Sequence, residues 1–595
     1  MSTCSLAYQP LTGTQIRLVR LKPRQPGDGL ELDLIHVELD SKPHFYALSY
    51  VWGDAAVRKS AQVNGMAFDM TRSLYVALTY LQDTLYANES DLFEYEKDLL
   101  WIDALCINQS DMAEKSQQVP RMGEIYTSAH KVLAWLGKAT TKKEHEKATT
   151  VLIDSVFWLP YMDEMETLGG YSAADLLAND DLEEDELNVL LRLVDATNNG
   201  SVDRFMEHHP FPMIEILLKI LRNPWFSRIW IVQEAVLASE VIVLFDGHTT
   251  ELCQLLNAAA TLAETMRAYA QSAFSNDAAE ALMLRNLLST CESHNPLPLA
   301  HQLGDLLHQT THRTASLPHD YLYGLLGLLT HPGDLPTTLT PNYSTPFAAV
   351  FHAYTMYIVA ATGDLEHLPT VRNQLTGVPS WVPDLRFAGQ RATSPLTESF
   401  ASFSADGTRL FARGVVLGAV DVVFRAAEEK PADYEAALGI LERVRETVFA
   451  RACGVRGCGM GEVWGLVGAD RVLGTVCEEF AAFEALMEPG EEEEGEEERR
   501  WACRAFAERF VQGQFFMTGD GIMGIDERYA DPVLDVMPEG VNDVLCVLKG
   551  AASPFRLRPV PGGYSLVGSC DVWGEGGVFD EAYFSARTVQ DFVLL

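Results

Sequence analysis

The chain has 595 residues, of which 47% are hydrophobic, and this length and composition predict a globular protein of several domains. Its 45 Lys and Arg residues against 83 Asp and Glu residues give a net charge of −38, which repels phosphate backbones, so nucleic-acid binding is not expected. No apolar run reaches the roughly 20 residues that a membrane-spanning helix needs. The start of the sequence lacks a secretory signal pattern, and ten cysteines without framework spacing predict a reducing, cytoplasmic location.

The first 250 residues alternate between predicted strands and predicted helices, which favours an α/β domain with a parallel-rich sheet. The strands are predicted at 15–21, 30–39, 46–52, 99–105, 131–137 and 240–247, and the helices at 73–86, 111–129 and 225–238. Asn64-Gly65 lies between two alternating segments and predicts a hairpin with a type I′ turn. Asp111 followed by Glu114 resembles a capping box, and Pro120 is expected to kink the helix that follows.

The rest of the chain is less regular. Residues 140–212 are predicted to form a helical insertion in the first domain (1–250), and 251–375 a helical region. Short apolar β runs and more frequent Gly and Pro predict a β-rich C-terminal domain over 376–595. The low-complexity acidic run at 489–500 is predicted to be a solvated loop within it. A Gly-x-Gly-x-x-Gly pattern at 519–524 lacks the helix that a dinucleotide site requires, so we reject that interpretation.

Three stretches carry more Trp, Cys, carboxylate and carboxamide side chains than plain core elements need. They are 46–54 (YALSYVWGD), 100–137 (beginning LWIDALCINQSDMAEK) and 222–239 (RNPWFSRIWIVQEAVLAS). Each places polar residues at the end of an apolar strand or on one face of a helix. An α/β protein builds its binding site at such positions.

These stretches resemble the three sequence blocks of the fungal heterokaryon-incompatibility (HET) domain. The matches are ALSYVWG at 47–53, WIDALCINQ with its continuation to WLG at 101–137, and WFSRIWIVQE at 225–234. The resemblance implies a role in self/non-self recognition and programmed cell death in filamentous fungi, with protein partners and self-association. It also implies a fold similar to Toll/interleukin-1-receptor-like (TIR) domains, with a parallel-rich sheet and flanking helices. Some TIR domains cleave NAD with a glutamate on a Trp-x-x-x-Glu helix, here Trp230 and Glu234.

Glu234 and Asp103 are the candidate catalytic residues. Cleavage of the bond between nicotinamide and ribose passes through an oxocarbenium-like transition state, which a carboxylate stabilises. The alternatives for Glu234 are a cap or a structural ion pair with Arg228, or a position that simply faces solvent. Asp103 follows a buried strand, where α/β ligands bind, and its alternative is a turn that bonds its own backbone.

The candidate substrate-binding residues lie in the same three blocks. They are Ser49, Tyr50, Trp52, Gly53, Trp101, Asn108, Arg228 and Trp230. The aromatic members are candidates for stacking on a ring of the substrate and equally for core positions. Asn108 has the same turn alternative as Asp103, and Arg228 is a candidate for pyrophosphate binding or for pairing with carboxylates. Cys106 lies nearby, but the motif contains no His, so we interpret it as a packing residue.

Two functions of different classes remain open. One is an NAD-consuming hydrolase, with NAD as substrate, no resident cofactor and no metal, since the cysteines lack paired spacing. The other is a non-enzymatic signalling module that acts by association with partner proteins. They differ in whether Glu234 lines a pocket with Asp103 or is tied into an ion pair.

Overall fold

The structure, a computed structural model, is described here for part of the chain. The described residues are 8–22, 29–85, 99–138, 220–246, 248–257, 259–260, 283–288, 297–368, 375–387, 401–424, 436–439, 442, 454, 513–527, 542–573 and 581–595. The predicted insertion at 140–212 and the acidic run at 489–500 lie outside them. The chain divides into two compact units. The first comprises Met1–Pro296, His312–Asp334 and Pro341–Ser344, and the second Leu297–Thr311, Leu335–Thr340 and Thr345–Leu595.

A mixed sheet forms the centre of the first unit. Its strands are β1 Gln15–Leu21, β2 Glu31–Glu38, β3 Phe45–Tyr50, β4 Arg58–Val63, β5 Met66–Thr71, β6 Leu99–Trp101, β7 Val132–Gly137, β8 Val241–Phe245 and β9 His248–Glu251. They are arranged in the order β5-β4-β2-β1-β6-β3-β7-β8-β9. Strands β6, β3, β7 and β8 pair in parallel, as do β2 and β4, and the remaining neighbours pair antiparallel. The α/β prediction is confirmed, with the parallel strands concentrated at the middle of the sheet.

Besides short helical stretches at 252–257 and 283–288, the described part of the chain contains α-helices with defined ends. They are α1 Arg72–Tyr80, α2 Asp103–Cys106, α3 Met112–Gln118, α4 Met122–Ser128, α5 Ile231–Val236, α6 Leu299–Gln309, α7 Asp320–Leu326, α8 Phe347–Thr362 and α9 Glu581–Ser585. Helices α1–α5 and α7 belong to the first unit, and the other three belong to the second.

The turn and cap signals between these elements are largely confirmed. Asn64 and Gly65 both have positive φ, 54° and 75°, as a type I′ turn between β4 and β5 requires. Pro120 lies in a 3-10 turn that separates α3 from α4. The Asp111 carboxylate caps α3 by accepting from the backbone N–H groups of Ala113 and Glu114. The capping box is incomplete, because Glu114 turns to the N–H of Asn108 instead.

Two predicted elements are shorter than expected. The strand predicted over 99–105 ends at Trp101, because the Asp103 carboxylate accepts from the N–H of Ala104 and begins α2. The helix predicted over 225–238 begins only at Ile231. The preceding residues form turns, in which the Asn223 side-chain oxygen accepts from the N–H of Trp225. Asx turns of this kind compete with the helix for backbone donors.

The described strands of the second unit lie between residues 402 and 594, within the range that the sequence predicts to be β-rich. They are β10 Ser402–Phe403, β11 Leu410–Phe424, β12 Gly513–Thr518, β13 Met523–Glu527, β14 Val544–Leu548, β15 Phe555–Val560, β16 Gly563–Ser569, β17 Asp571–Trp573 and β18 Gln590–Leu594. The long strand β11 pairs with β10, β12, β14 and β18. The glycine pattern at 519–524 lies in the hairpin between β12 and β13, which agrees with rejecting it as a dinucleotide site.

No helix in the portion of the chain described above is both long enough and apolar enough to cross a bilayer.

Candidate functional site

The three sequence blocks meet at one edge of the first sheet. Strands β3 and β6 are parallel neighbours, so their carboxyl ends lie at the same edge. Ser49 and Tyr50 end β3, and Asp103 follows β6. The third block supplies Arg228, which precedes α5, and Glu234 within α5. We call these five residues the edge cluster.

The Glu234 carboxylate is held from two sides. It accepts a hydrogen bond from the Ser49 hydroxyl, and the Arg228 guanidinium lies 3.4 and 3.5 Å from its two oxygens. The Ser49 oxygen in turn accepts from the indole N–H of Trp225 at 2.6 Å. The Glu234 side chain is only 2% exposed. The ion pair that was the structural alternative for Glu234 is therefore present.

Asp103 is the more accessible of the two carboxylates. It is partly buried, and its oxygens accept from the indole N–H of Trp52 at 2.9 Å and from the backbone N–H of Ala104 at 2.7 Å. Burial raises the pKa of Asp103 to about 6. The positive charge of Arg228 lowers this pKa, and the negative charge of Glu234 raises it further. The cluster thus contains a carboxyl group that titrates near neutrality.

Tyr50 contributes a buried hydroxyl. Burial and the nearby Asp103 carboxylate raise the pKa of Tyr50 well above its usual value, so the group stays protonated. Its hydroxyl has no hydrogen-bond partner within the described part of the chain. Buried polar groups are rarely left unpaired, so this hydroxyl has an unused capacity to donate a hydrogen bond.

The electrostatic coupling extends across the whole cluster. Burial alone lowers the pKa of Arg228, but the Glu234 and Asp103 carboxylates reverse the effect and raise it. Burial, followed by the Glu234 carboxylate, raises the pKa of Tyr126 on the buried face of α4. Several mutually perturbed groups at one sheet edge are a recognised mark of a functional site.

Three predicted binding residues lie away from the cluster's polar contacts. Trp101 is 1% exposed and packs edge-on against Tyr126, with ring centroids 5.3 Å apart. The Asn108 side-chain oxygen accepts from both the N–H and the hydroxyl of Ser110, which forms a turn. The indole of Trp230 hydrogen-bonds Asp320 of α7. Trp101 and Asn108 thus take the core and turn alternatives.

The other residues of the first two blocks are placed as follows. Trp52 is 37% exposed, and Gly53 after it has φ +71° and lines an open pocket. Cys106 is buried, and burial raises its pKa to about 12, so its thiol is unreactive at neutral pH. This agrees with the packing interpretation of Cys106.

Sequence reasoning missed two polar contacts that position the site. The hydrogen bond from the Trp225 indole to Ser49 could not be predicted, because a Trp in an apolar segment is expected to be a core residue. The second is buried Arg17 of β1, which binds Glu114 of α3 through two bonds of 2.6 and 2.9 Å. A cation inside the apolar run QIRLVRL was the available signal, since buried Arg is rare without a partner.

A match to a known family covers the part of the chain that contains this cluster. Residues 45–234 match the family described as heterokaryon incompatibility protein (HET), and this range contains the whole edge cluster. Over this range, the chain therefore carries a HET domain.

Among curated proteins, the chain is similar to heterokaryon incompatibility protein 6, OR allele, of Neurospora crassa. The two are 26% identical over 409 residues, which cover 62% of this chain. The matched part spans 58% of the length of that relative. No solved structure matches the chain significantly.

Proposed function

We propose that the chain acts in heterokaryon incompatibility, and that its HET domain does so by hydrolysing NAD at the edge cluster. The family match and the name of the Neurospora crassa relative support the incompatibility role. The hydrolase mechanism extends the resemblance to TIR domains.

The observation that carries the mechanism is the convergence of two carboxylates, a guanidinium and an unpaired tyrosine hydroxyl. Asp103 and Glu234 belong to blocks far apart in sequence, yet both perturb the pKa values of Tyr50 and Arg228. The cluster lies at the carboxyl edge of parallel strands, the usual ligand position in α/β sheets. A purely structural pair does not need the second carboxylate.

The chemistry assigns a separate task to each carboxylate. When the bond between nicotinamide and ribose breaks, neutral nicotinamide leaves with the electron pair and C1′ of ribose becomes electron-deficient. The Glu234 carboxylate stabilises that positive charge. Water then adds to C1′ and must lose a proton. Asp103, with a pKa of about 6, is ionised at neutral pH and accepts it.

One observation favours the second candidate, a signalling module without catalysis. Glu234 is engaged by both Ser49 and Arg228, and its side chain is 2% exposed. In that case the cluster fixes the third block to β3, and association with partner proteins or with a second copy carries the signal.

Release of nicotinamide by the purified chain separates the two candidates. Glu234→Gln should lower turnover on the order of 10²–10³-fold, because the amide keeps its shape but loses its charge. Glu240→Gln is the matched control, since Glu240 pairs with Lys131 at 2.8 Å and is 34% exposed, outside the cluster. Equal turnover by wild type and Glu234→Gln would remove the catalytic role. Absence of turnover in the wild type would leave the signalling module.

A further inference from the structure

A pocket of about 400 Å³ opens beside the edge cluster within the first unit. Gly53 after β3 and Gly137 at the end of β7 form one side of it, and Arg72 and Ser73 in the first turn of α1 form another. None of the five edge-cluster residues lines it. The volume falls within the range of sites that hold small organic ligands.

The charge of this pocket is opposite to that of the chain. Arg72 and Lys138 contribute two positive charges and Asp54 one negative charge, while the whole chain carries −38. The Asp54 carboxylate is engaged locally, because it accepts from the N–H of Ala56 at 2.8 Å. Within the described residues, no ion pair engages Arg72 or Lys138. A locally positive pocket in so acidic a protein favours an anionic ligand.

The remaining wall of the pocket is apolar and aromatic. The Trp135 ring packs on Tyr80 with ring centroids 4.4 Å apart, and Val57 and Val76 lie beside it in the lining. The Lys138 ammonium lies 5.3 Å from the centre of the Tyr80 ring, which keeps this cation next to the aromatic wall. Such a wall accepts a flat, uncharged ring.

Two glycines shape the mouth of the pocket. Gly53 has φ +71° and Gly137 has φ +108°, conformations that other residues rarely adopt. No atom lies within 4 Å of the position where a Cβ would stand on Gly137. A ligand can therefore approach the backbone closely at this point.

We propose that this pocket binds a nucleotide, with Arg72 and Lys138 on its phosphates and its base against Trp135. The proposal rests on the proposed function in one respect, that NAD is then the natural ligand, because NAD contains an adenosine diphosphate moiety. The distance between this pocket and the edge cluster suits a ligand that reaches both. Three residues from Tyr50 to Gly53 span at most about 11 Å, less than the length of an extended dinucleotide.

Calorimetric titration of the full chain with ADP tests the proposal, with adenosine and inorganic phosphate as separate arms. ADP should bind saturably and more tightly than either fragment. The double variant Arg72→Gln/Lys138→Gln should bind ADP at least about tenfold more weakly with an unchanged thermal midpoint, since both side chains are exposed. The control Arg20→Gln/Lys59→Gln removes two other exposed cations and should bind ADP as the wild type does.

The proposal is overturned if the wild type does not bind ADP, or if the Arg72/Lys138 variant binds it equally well. Phosphate binding as tight as ADP binding would also overturn it, because the base would then make no contact. Failure of the proposed function gives a different pattern, in which ADP binds but no nicotinamide is released. If instead NAD is hydrolysed by the Arg72/Lys138 variant with unchanged KM, the function stands and this pocket is not its substrate site.

Discussion

Ser49 has a small side chain that joins two distant parts of the first unit. Its hydroxyl donates to Glu234 and its oxygen accepts from Trp225, so it connects β3 to the third sequence block. Ser49 is 1% exposed, which means that water cannot replace a lost partner. The cost of its removal is therefore set by the groups that it leaves unpaired.

We expect Ser49→Ala to lower the free energy of unfolding by about 1–3 kcal/mol, because it leaves the Trp225 N–H and one oxygen of Glu234 without their hydrogen-bond partner. Ser41→Ala is the matched control. Ser41 is exposed and donates only to a backbone carbonyl, so its loss should stay within about 0.5 kcal/mol. Urea denaturation measures both variants. Similar values for the two would show that the Ser49 network contributes no more than a surface bond.

The raised pKa of Asp103 makes stability depend on pH in an unusual direction. Its pKa increases on folding, from 3.8 to about 6, so between these values the folded chain binds more protons than the unfolded chain. The contribution of Asp103 to stability is then greatest near pH 4 and is lost as the pH rises through about 6.

The measurement is the difference in unfolding free energy between wild type and Asp103→Asn from pH 4 to pH 7. Wild type should lose stability relative to the variant by at most about 1.4 kcal/mol per pH unit over the lower part of this range. Asp69→Asn, at an exposed position of β5, controls for removal of a carboxylate from the same sheet. A difference that is flat with pH, or that rises, would contradict the raised pKa of Asp103.

At the scale of elements, one buried ion pair fixes α3 against β1. Arg17 is fully buried and binds both oxygens of Glu114, and it also donates to the carbonyl oxygens of Gln9 and Cys106. Burial alone would raise the pKa of Glu114, but the bonds from Arg17 and Asn108 outweigh it and lower the pKa. The pair therefore stabilises the fold above the ordinary carboxyl range and is lost as the pH falls.

Glu114→Gln should lower the free energy of unfolding at pH 7 by about 3–5 kcal/mol, because it leaves the buried Arg17 cation uncompensated. Glu124→Gln is a comparison on the neighbouring helix. Glu124 is 51% exposed and pairs with Arg121 at 3.3 Å, so its removal should cost less than about 1 kcal/mol. Thermal or urea unfolding of both variants checks this. A Glu114 variant no weaker than the Glu124 variant would refute the structural role of the pair.

Local elements were more predictable than the contacts between them. Strand β1, the hairpin at Asn64-Gly65 and the break at Pro120 follow from short-range signals, because their turn chemistry lies within a few residues. The predicted strand end at Leu105 and helix start at Trp225 were wrong, because the Asp103 and Asn223 side chains accept from backbone N–H groups there. The bond between Ser49 and Glu234, 185 positions apart, depends on strand order, which periodicity does not encode.

At the scale of the whole molecule, the first unit is not continuous in sequence. The chain leaves it after Pro296, returns for His312–Asp334, and returns again for Pro341–Ser344. The returning segments carry α7, whose Tyr323 carbonyl accepts from buried Gln233 of α5. The backbones of Thr314 and Arg228 also form an isolated parallel β-bridge. The family-matched stretch alone therefore lacks part of its own unit.

A fragment of residues 1–296 should consequently be less stable than a fragment of residues 1–344. The shorter fragment loses the bonds from Gln233 to Tyr323 and from Arg313 to the Phe226 carbonyl, each worth about 0.5–1.5 kcal/mol. It also exposes to water the apolar side chains of the first unit that pack on α7. Calorimetry should show a thermal midpoint several degrees lower for the shorter fragment. Equal midpoints would mean that the returning segments add nothing to the unit.

The discontinuity of the first unit in sequence has a consequence for inheritance. A meiotic crossover between residues 237 and 311 would join α5 from one parent to α7 from the other, since these helices lie on opposite sides of the exchange. A Cβ on Gly327, just after α7, would lie 2.4 Å from the side-chain oxygen of Gln233 on α5, so that side chain would have to move. A recombinant with a larger residue at 327 would have to displace the Gln233 side chain, which also donates to the Tyr323 carbonyl. Compatible residues at positions 233 and 327 should therefore be inherited together, although a crossover between them would separate them.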